Sequence, residues 1–230
     1  MEAIKNTDKG RSKTEKISDS TIQRISIYYR TLNRLEKQAV KRTTSMSLAD
    51  IEGISPVMVR KDLSFFGTFG CRGVGYDVQS LKRELAKVLG FSRKWGLVII
   101  GGGQFGNVLI NSQTLKDNNF TIRKIFDKEP DLIKDIDDQT VVYPLDQLEE
   151  KINPEEDHIA IIALPPPEVQ SVIDRLGKIG MKAVLYMASR SIKAPQNMVV
   201  MNQDISIKLG MMTYKVLEKE NNRTALTRIA

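Results

Sequence analysis

The stretch that decides the fold covers residues 97–106 and reads LVIIGGGQFG. Its first four residues form a continuous apolar run, which is typical of a strand buried on both faces of a parallel sheet. Gly101, Gly103 and Gly106 follow at once and precede apolar residues that would open a helix. This order matches a fingerprint in which glycines allow a tight turn and a close approach of the backbone to a pyrophosphate.

An acidic residue lies where this fingerprint requires one. Asp127 follows residues 121–126, which we predict to be the next strand, and it lies 21 residues after Gly106. A carboxylate there would bind the ribose of an adenosine and repel a 2′-phosphate, which favours NAD(H) over NADP(H). The neighbouring Lys128 would weaken this preference slightly. The alternative is a glycine-rich turn that binds nothing.

The rest of the second half alternates between strand and helix patterns. Strands are predicted at residues 158–164 and 183–187, with a helix from Glu168 to about Gly180 between them. Such alternation indicates an α/β fold with a parallel, doubly wound sheet. The acidic stretch 131–156 is expected to be a surface excursion with short strand and helix pieces, and residues 204–217 have a helical apolar pattern.

The first half instead predicts several helices and a glycine-rich ribbon. Apolar residues at spacings of three and four, the first of them Ile22, indicate a helix that runs to about Val40, and Ser18, Asp19 and Ser20 are candidate caps at its start. A short helix ending at Gly53 is followed by the Ser55-Pro56 start of another, which is the sequence form of a helix-turn-helix. The glycine-rich residues 67–76 then predict a tight β-ribbon, which would form a wing.

These elements could bind DNA. Arg60, Lys61 and Ser64 lie on the polar face of the second short helix, where they could reach base edges or phosphates in a major groove. Arg72 in the ribbon could enter a minor groove, and the hydroxyls of residues 43–45 could hold a phosphate. The alternative is a small helical dimerisation domain with a solvated basic face.

The charge distribution supports a polyanionic partner for the first half. Residues 1–95 carry 19 Lys and Arg against 10 Asp and Glu, whereas residues 96–230 carry 16 against 18. The partner would be nucleic acid or an acidic membrane face. One cysteine, Cys71, and one histidine, His158, make disulfides and clustered metal sites improbable and leave no catalytic residue to name. No membrane-spanning run is present in the sequence, and a cytoplasmic location is expected.

Taken together, these motifs resemble the Rex family of bacterial redox-sensing transcriptional repressors. The resemblance rests on residues 59–67 (VRKDLSFFG), 72–76 (RGVGY) and 81–85 (LKREL), followed by the glycine motif, and it covers roughly residues 18–217. It implies an NADH/NAD⁺ cofactor, a homodimer on a palindromic operator in double-stranded DNA, and no membrane partner. It also implies that Arg30 and Asp204 pair in one state of the switch.

With the resemblance, we can state the domains and the binding residues that we expect in this chain. The domains are a disordered basic arm (1–17), a winged-helix domain (18–92), a Rossmann domain (93–203) and a C-terminal helix swapped between subunits with a tail (204–230). The expected cofactor-binding residues are Gly101, Gly102, Gly103, Gln104, Phe105, Gly106, Asp127, Lys128, Ala163, Leu164, Pro165, Met187, Ala188 and Ser189. The expected DNA-binding residues are Arg42, Thr43, Thr44, Ser45, Ser55, Met58, Arg60, Lys61, Ser64, Arg72 and Gly73.

The chain departs from the family pattern near the expected nicotinamide. It has Tyr186-Met187-Ala188-Ser189 where the family usually has Asn-Phe-Ala-Pro, and about Ser112 it lacks a tyrosine of the switch. Gly102 and Phe105 also differ from the usual loop residues. Two alternatives therefore stand beside the redox-sensing repressor: a dinucleotide-binding regulator without redox discrimination, and a small NAD-dependent oxidoreductase.

Overall fold

The structure of the chain is a computed structural model that describes residues 17–71, 73–101, 108–109, 112–134, 136, 139–189 and 191–227, with side chains in the last helix to residue 221. Its contacts divide the chain into two compact units, with the boundary between Ser92 and Arg93. The basic arm, Arg72 and the predicted loop residues Gly102, Gly103, Gln104, Phe105 and Gly106 lie outside the described residues.

The first unit contains four helices and a small antiparallel sheet. The helices are α1 (Asp19–Lys37), α2 (Ser45–Glu52), α3 (Pro56–Ser64) and α4 (Val78–Val88). The strands are β1 (Arg42–Thr43), β2 (Gly70–Cys71) and β3 (Gly75–Asp77), in the order β1-β3-β2. The helix-turn-helix and the ribbon are therefore present, and β1 is an additional strand that pairs with the ribbon.

Local sequence signals explain the helix ends of this unit. The hydroxyls of Ser18, Thr44 and Ser55 each accept a hydrogen bond from a backbone N–H in the first turn of α1, α2 and α3. Gly53 ends α2 with a φ of 66°, a left-handed conformation that glycine adopts without strain. Helix α1 begins at Asp19 because Ser18, one of the three predicted cap residues, is its cap.

The second unit is built on a six-stranded sheet whose neighbouring strands are all parallel. Its strands are β4 (Trp95–Ile100), β5 (Phe120–Asp127), β6 (Val141–Pro144), β7 (Ile159–Ile162), β8 (Ala183–Tyr186) and β9 (Val199–Asn202). They lie in the order β6-β5-β4-β7-β8-β9. This is the strand order of a Rossmann sheet, so the predicted fold is confirmed.

Strand β4 is buried on both faces, as its apolar run requires. Leu97 and Ile99 belong to the core on one face, and Val98 and Ile100 belong to the core on the other. The described helices of this unit are α5 (Gln113–Asp117), α6 (Leu148–Lys151), α7 (Pro166–Lys178) and α8 (Ile205–Thr227), with 3₁₀ turns at Pro130–Leu132 and Leu145–Gln147. Helix α7 packs on the Val98 face.

The structure differs from the sequence prediction at two places in this unit. The helix after the third strand is predicted to start at Glu168, but α7 begins at Pro166, because the first turn of a helix needs no donor there. Strand β9 was not predicted, since Val199 and Met201 are exposed at the sheet edge. Helix α8 starts at Ile205 as expected, and all its described side chains are exposed.

Candidate functional site

Helix α3 presents its predicted DNA-binding residues on one exposed face. Arg60, Lys61 and Ser64 are exposed, whereas Val59 and Leu63 on the opposite face are in the core. The remaining members of the predicted set on this helix, Ser55 and Met58, are also exposed. The helix thus offers two cations and small polar side chains, which suits a helix that enters a major groove.

A buried ion pair fixes α3 against α1. Arg24 donates two hydrogen bonds to the carboxylate of Asp62, of 2.6 and 2.7 Å, and the Tyr28 hydroxyl donates a third of 2.8 Å. Burial by itself would raise the pKa of Asp62, but these hydrogen bonds outweigh it, so the pKa lies below its ordinary value. The charged network therefore holds α3 in one orientation against α1.

The start of α2 contributes the hydroxyl residues, with one correction. Thr44 caps the helix, and the Ser45 hydroxyl accepts a hydrogen bond of 3.0 Å from the Arg60 guanidinium. Thr43 was also expected to hold a phosphate, but its side chain is only 4% exposed because it lies in β1, which pairs with the ribbon. Its hydroxyl therefore faces the interior, while neighbouring Arg42 is exposed.

A cleft of about 540 Å³ lies between α3, the start of α2 and the ribbon. It brings together the predicted residues Thr44, Ser45, Arg60, Ser64 and Gly73. Arg42, Ser55, Met58 and Lys61 are not part of its lining. The lining also includes Phe69, Cys71 and Tyr76, which were not predicted; the aromatic and glycine alternation of the ribbon was the available signal.

In the second unit, the described members of the predicted cofactor set all lie at the carboxyl edge of the sheet. Gly101 follows β4, Asp127 ends β5, residues 163–165 follow β7, and residues 187–189 follow β8. The strand order reverses between β4 and β7, and ligands of open parallel sheets bind at such a point. The edge therefore has the topology that a dinucleotide needs.

The backbone conformation and the surroundings of Gly101 disfavour any side chain at this position. Its φ is 67°, and a Cβ built on it would overlap the side chain of Leu164. Its N–H donates to the Phe126 carbonyl at 2.8 Å, which ties the turn to β5. The tight turn after β4 thus requires glycine at position 101, as the first position of the fingerprint does, so the described residues of this edge fit the cofactor.

Asp127 and Lys128 lie side by side at the end of β5. An Asp127 carboxylate oxygen accepts a hydrogen bond of 3.0 Å from the Glu129 N–H, which orients the carboxylate. The Lys128 ammonium makes an ion pair of 2.8 Å with Glu168, in the first turn of α7. Glu168 was not predicted as a site residue, since its partner lies 40 residues away in the sequence.

A second, smaller cavity links the region after β8 to the start of α8. Its volume is about 240 Å³, and its lining includes Met187, Ala188, Ser189 and Asp204. The Asp204 carboxylate accepts hydrogen bonds from the Ser189 hydroxyl at 3.0 Å and from Ser206, at 2.6 Å from its hydroxyl and 2.8 Å from its N–H. Hydrogen bonding from Ser206, and secondarily from Ser189, lowers the pKa of Asp204.

The remaining candidates have structural surroundings. His158 lies before β7, at the amino edge of the sheet and away from the carboxyl edge, where its Nδ1 accepts a hydrogen bond from Gly96. Arg30 is exposed and lies 3.9 Å from Glu52, which also accepts a hydrogen bond from Thr31. No described helix is long and apolar enough to cross a bilayer.

The first unit has a helix-turn-helix followed by a β-ribbon, and the second has a Rossmann sheet whose carboxyl edge has the topology of a dinucleotide site. Together they define a class of nucleotide-responsive DNA-binding regulators. Matches to family models agree with this division. Residues 16–64 match a model described as a putative DNA-binding protein N-terminus, and residues 92–189 match a CoA binding domain.

Individual relatives narrow the class to one family. A redox-sensing transcriptional repressor Rex from Desulforamulus reducens is 40% identical over 209 residues, which cover 90% of this chain and 99% of the relative. One from Thermus thermophilus is 35% identical and covers 88% and 95%. The chain belongs to the Rex family.

Solved structures of similar fold agree with the family assignment. The crystal structure of RSP in complex with β-NAD⁺ and operator DNA is 30% identical, with a TM-score of 0.79, and covers 94% of this chain and 100% of RSP. The structure of RSP in complex with β-NADH is also 30% identical, with a TM-score of 0.78 and coverage of 92% and 99%. RSP is a Rex-family repressor.

Proposed function

We propose that the chain is a transcriptional repressor that binds operator DNA and is released when NADH binds. The observation that carries this proposal is the pairing, in one chain, of an exposed basic recognition helix with a Rossmann sheet that has a glycine-only turn and an acidic strand end. A relative of the same fold has been crystallised with β-NAD⁺ and operator DNA, and also with β-NADH. Acting on chromosomal DNA would place it in the cytoplasm.

In this proposal the first unit reads DNA through α3. Arg60 and Lys61 would contact base edges and phosphates in the major groove, and the hydroxyls of Thr44 and Ser45 would hold a neighbouring phosphate. The hydrogen bond between Arg60 and Ser45 would orient the guanidinium before DNA arrives. The ribbon after Phe69 would lie against the adjacent minor groove.

The second unit would hold the dinucleotide along the carboxyl edge of its sheet. Gly101 would lie beneath the pyrophosphate, Asp127 would accept hydrogen bonds from the adenosine ribose, and residues 163–165 would line the crevice between β4 and β7. Ala188 and Ser189 would lie beside the nicotinamide. The cofactor supplies the redox state that is sensed, and the protein residues bind and orient it.

The coupling between the two activities would be a shift between two states of a homodimer. Helix α8 exposes a series of large apolar side chains over its described length, which a second copy of the chain would cover. NADH bound at the carboxyl edge of the sheet, beside Asp204, would change the conformation at the start of α8. The spacing between the α3 helices of the two subunits would change with it. A coupling of about 1–3 kcal/mol would change operator affinity by roughly 5- to 150-fold.

Calorimetric titration with NADH and NAD⁺, in the presence and absence of operator DNA, tests this proposal. Linkage requires that DNA weaken NADH binding by the same factor by which NADH weakens DNA binding. Equal NADH and NAD⁺ affinities would favour the alternative of a regulator without redox discrimination. Hydride transfer to a substrate would favour the oxidoreductase, although the histidine of the chain lies at the opposite edge of the sheet.

Arg60→Ala separates the two activities. It should weaken operator binding by about 1–3 kcal/mol, because it removes a major-groove contact, and leave NADH affinity unchanged. Arg34→Ala removes an exposed arginine from α1 and is the matched control. An equal loss of DNA and NADH binding in the Arg60 variant would show that Arg60 is needed for folding rather than for recognition.

A further inference from the structure

An ion pair at the carboxyl edge of the sheet links the residue after β5 to the helix after β7. Strands β5 and β7 both pair with β4, Lys128 directly follows β5, and Glu168 lies in the first turn of the helix after β7. The two oxygens of Glu168 lie 2.9 and 2.8 Å from the Lys128 ammonium. The pair therefore lies at the carboxyl edge, next to the carboxylate of Asp127.

The position of Lys128 matters for the choice between NAD(H) and NADP(H). In Rossmann sheets the acid that ends the second strand binds the ribose, and proteins that accept a 2′-phosphate place a basic side chain nearby. Asp127 is that acid here, and Lys128 is the adjacent cation. A free lysine ammonium is a mobile point charge that could turn towards a phosphate and offset the repulsion from Asp127.

Glu168 removes that possibility in two ways. It engages the Lys128 ammonium from both of its carboxylate oxygens, and it adds a second negative charge beside that ammonium. The side chains of Lys128 and Glu168 are 60% and 33% exposed, and ion pairs so exposed contribute little to folding stability. Such a pair is therefore better suited to selecting a ligand by its charge than to stabilising the fold.

We propose that Glu168 is a positioning residue that makes the site select NAD(H) over NADP(H), by keeping the Lys128 ammonium from a 2′-phosphate. The inference rests on the proposed function, because it requires that the second unit bind a dinucleotide. It adds to that function a residue on α7 that the glycine fingerprint and the acidic strand end do not reveal. The two ligands that the site would distinguish are a dinucleotide that carries a 2′-phosphate on its adenosine ribose and one that does not.

The test is the ratio of NADPH to NADH affinity in the full-length protein, measured by titrating nucleotide fluorescence. Glu168→Gln should tighten NADPH binding about fivefold at low salt, the effect of one unit charge about 4 Å away in water. NADH affinity should stay within about twofold, because NADH has no charge at that position. The gain should shrink as added salt screens the charges.

Three further variants make the result specific. Glu168→Asp retains the charge and should keep the wild-type ratio. Adding Lys128→Gln to Glu168→Gln should abolish the gain, because no cation remains to meet the phosphate. Asp174→Asn neutralises an exposed carboxylate elsewhere on α7 and should leave both affinities unchanged.

The outcomes distinguish this inference from the proposed function. If Glu168→Gln binds NADH normally but leaves NADPH affinity unchanged, Glu168 does not set the preference, while dinucleotide binding stands. If the variant loses NADH and NADPH affinity equally, Glu168 has only a structural role and the inference is wrong. If wild-type protein binds neither nucleotide, the proposed function fails and this inference fails with it.

Discussion

Asp62→Asn is expected to destabilise the first unit and leave the second unit unchanged. Asp62 is 1% exposed and accepts three hydrogen bonds, two of them from Arg24. Breaking a buried ion pair typically costs about 3–5 kcal/mol, because it leaves an uncompensated charge. The Arg24 side chain is 24% exposed and can be partly hydrated, and asparagine still accepts from Tyr28. We therefore expect a loss of about 2–3 kcal/mol.

Urea unfolding with two probes measures this loss. Far-ultraviolet circular dichroism reports both units, whereas the single tryptophan, Trp95, lies in the second unit and reports that unit alone. The circular dichroism midpoint should fall by about 1–2 M urea, given the slopes of small proteins, and the fluorescence midpoint should not move. Asp50→Asn, on the exposed side of α2, should change stability by less than about 0.5 kcal/mol.

The pH dependence has a defined sign. The pKa of Asp62 is lower in the folded unit than in the unfolded chain, where it is about 4, so the stabilisation is complete above that value. It is lost as the pH falls through the lower, folded pKa. The stability difference between wild type and Asp62→Asn should therefore narrow below about pH 4. Equal midpoints for the Asp62 and Asp50 variants at pH 7 would refute the reasoning.

Three other predictions concern the ends of elements. Gly101→Ala should weaken NADH binding at least about tenfold, because its Cβ would overlap Leu164 at a positive φ and displace the turn; an unchanged NADH affinity, measured by titration, would contradict this. Asp204→Asn removes the carboxylate at the start of α8 and should weaken NADH-induced release in an operator-binding assay; unchanged release would show that this carboxylate takes no part. Ser55→Ala removes the cap of α3 and should cost about 1 kcal/mol in chemical denaturation, and no loss would contradict the capping role.

The parts of the fold that could be predicted from the sequence are those with strong local signals. The apolar run before Gly101 has the pattern of a fully buried strand, and it is one. Ser55-Pro56 marks a helix start whose cap and first residue need no information from elsewhere in the chain. Asp127 could be placed because the fingerprint has its acidic residue about 20 residues after the glycines, and Asp127 lies 21 residues after Gly106.

The parts that could not be predicted depend on partners distant in the sequence. Thr43 resembles a helix cap residue, but a two-residue strand pairs it with Tyr76 and buries it. Asp62 resembles an exposed charge on a DNA-reading helix, and its burial is explained by Arg24 and Tyr28, which lie 38 and 34 residues away. Glu168 likewise acquires its significance from Lys128, which no periodicity places beside it.

The central claim is that NADH bound to the second unit weakens DNA binding by the first unit. Its most direct test is the fluorescence anisotropy of a labelled palindromic operator, measured with the full-length protein across an NADH titration and a parallel NAD⁺ titration. NADH should reduce operator affinity by roughly 5- to 150-fold, and NAD⁺ should leave it nearly unchanged. An operator affinity that stays the same at saturating NADH would contradict the account.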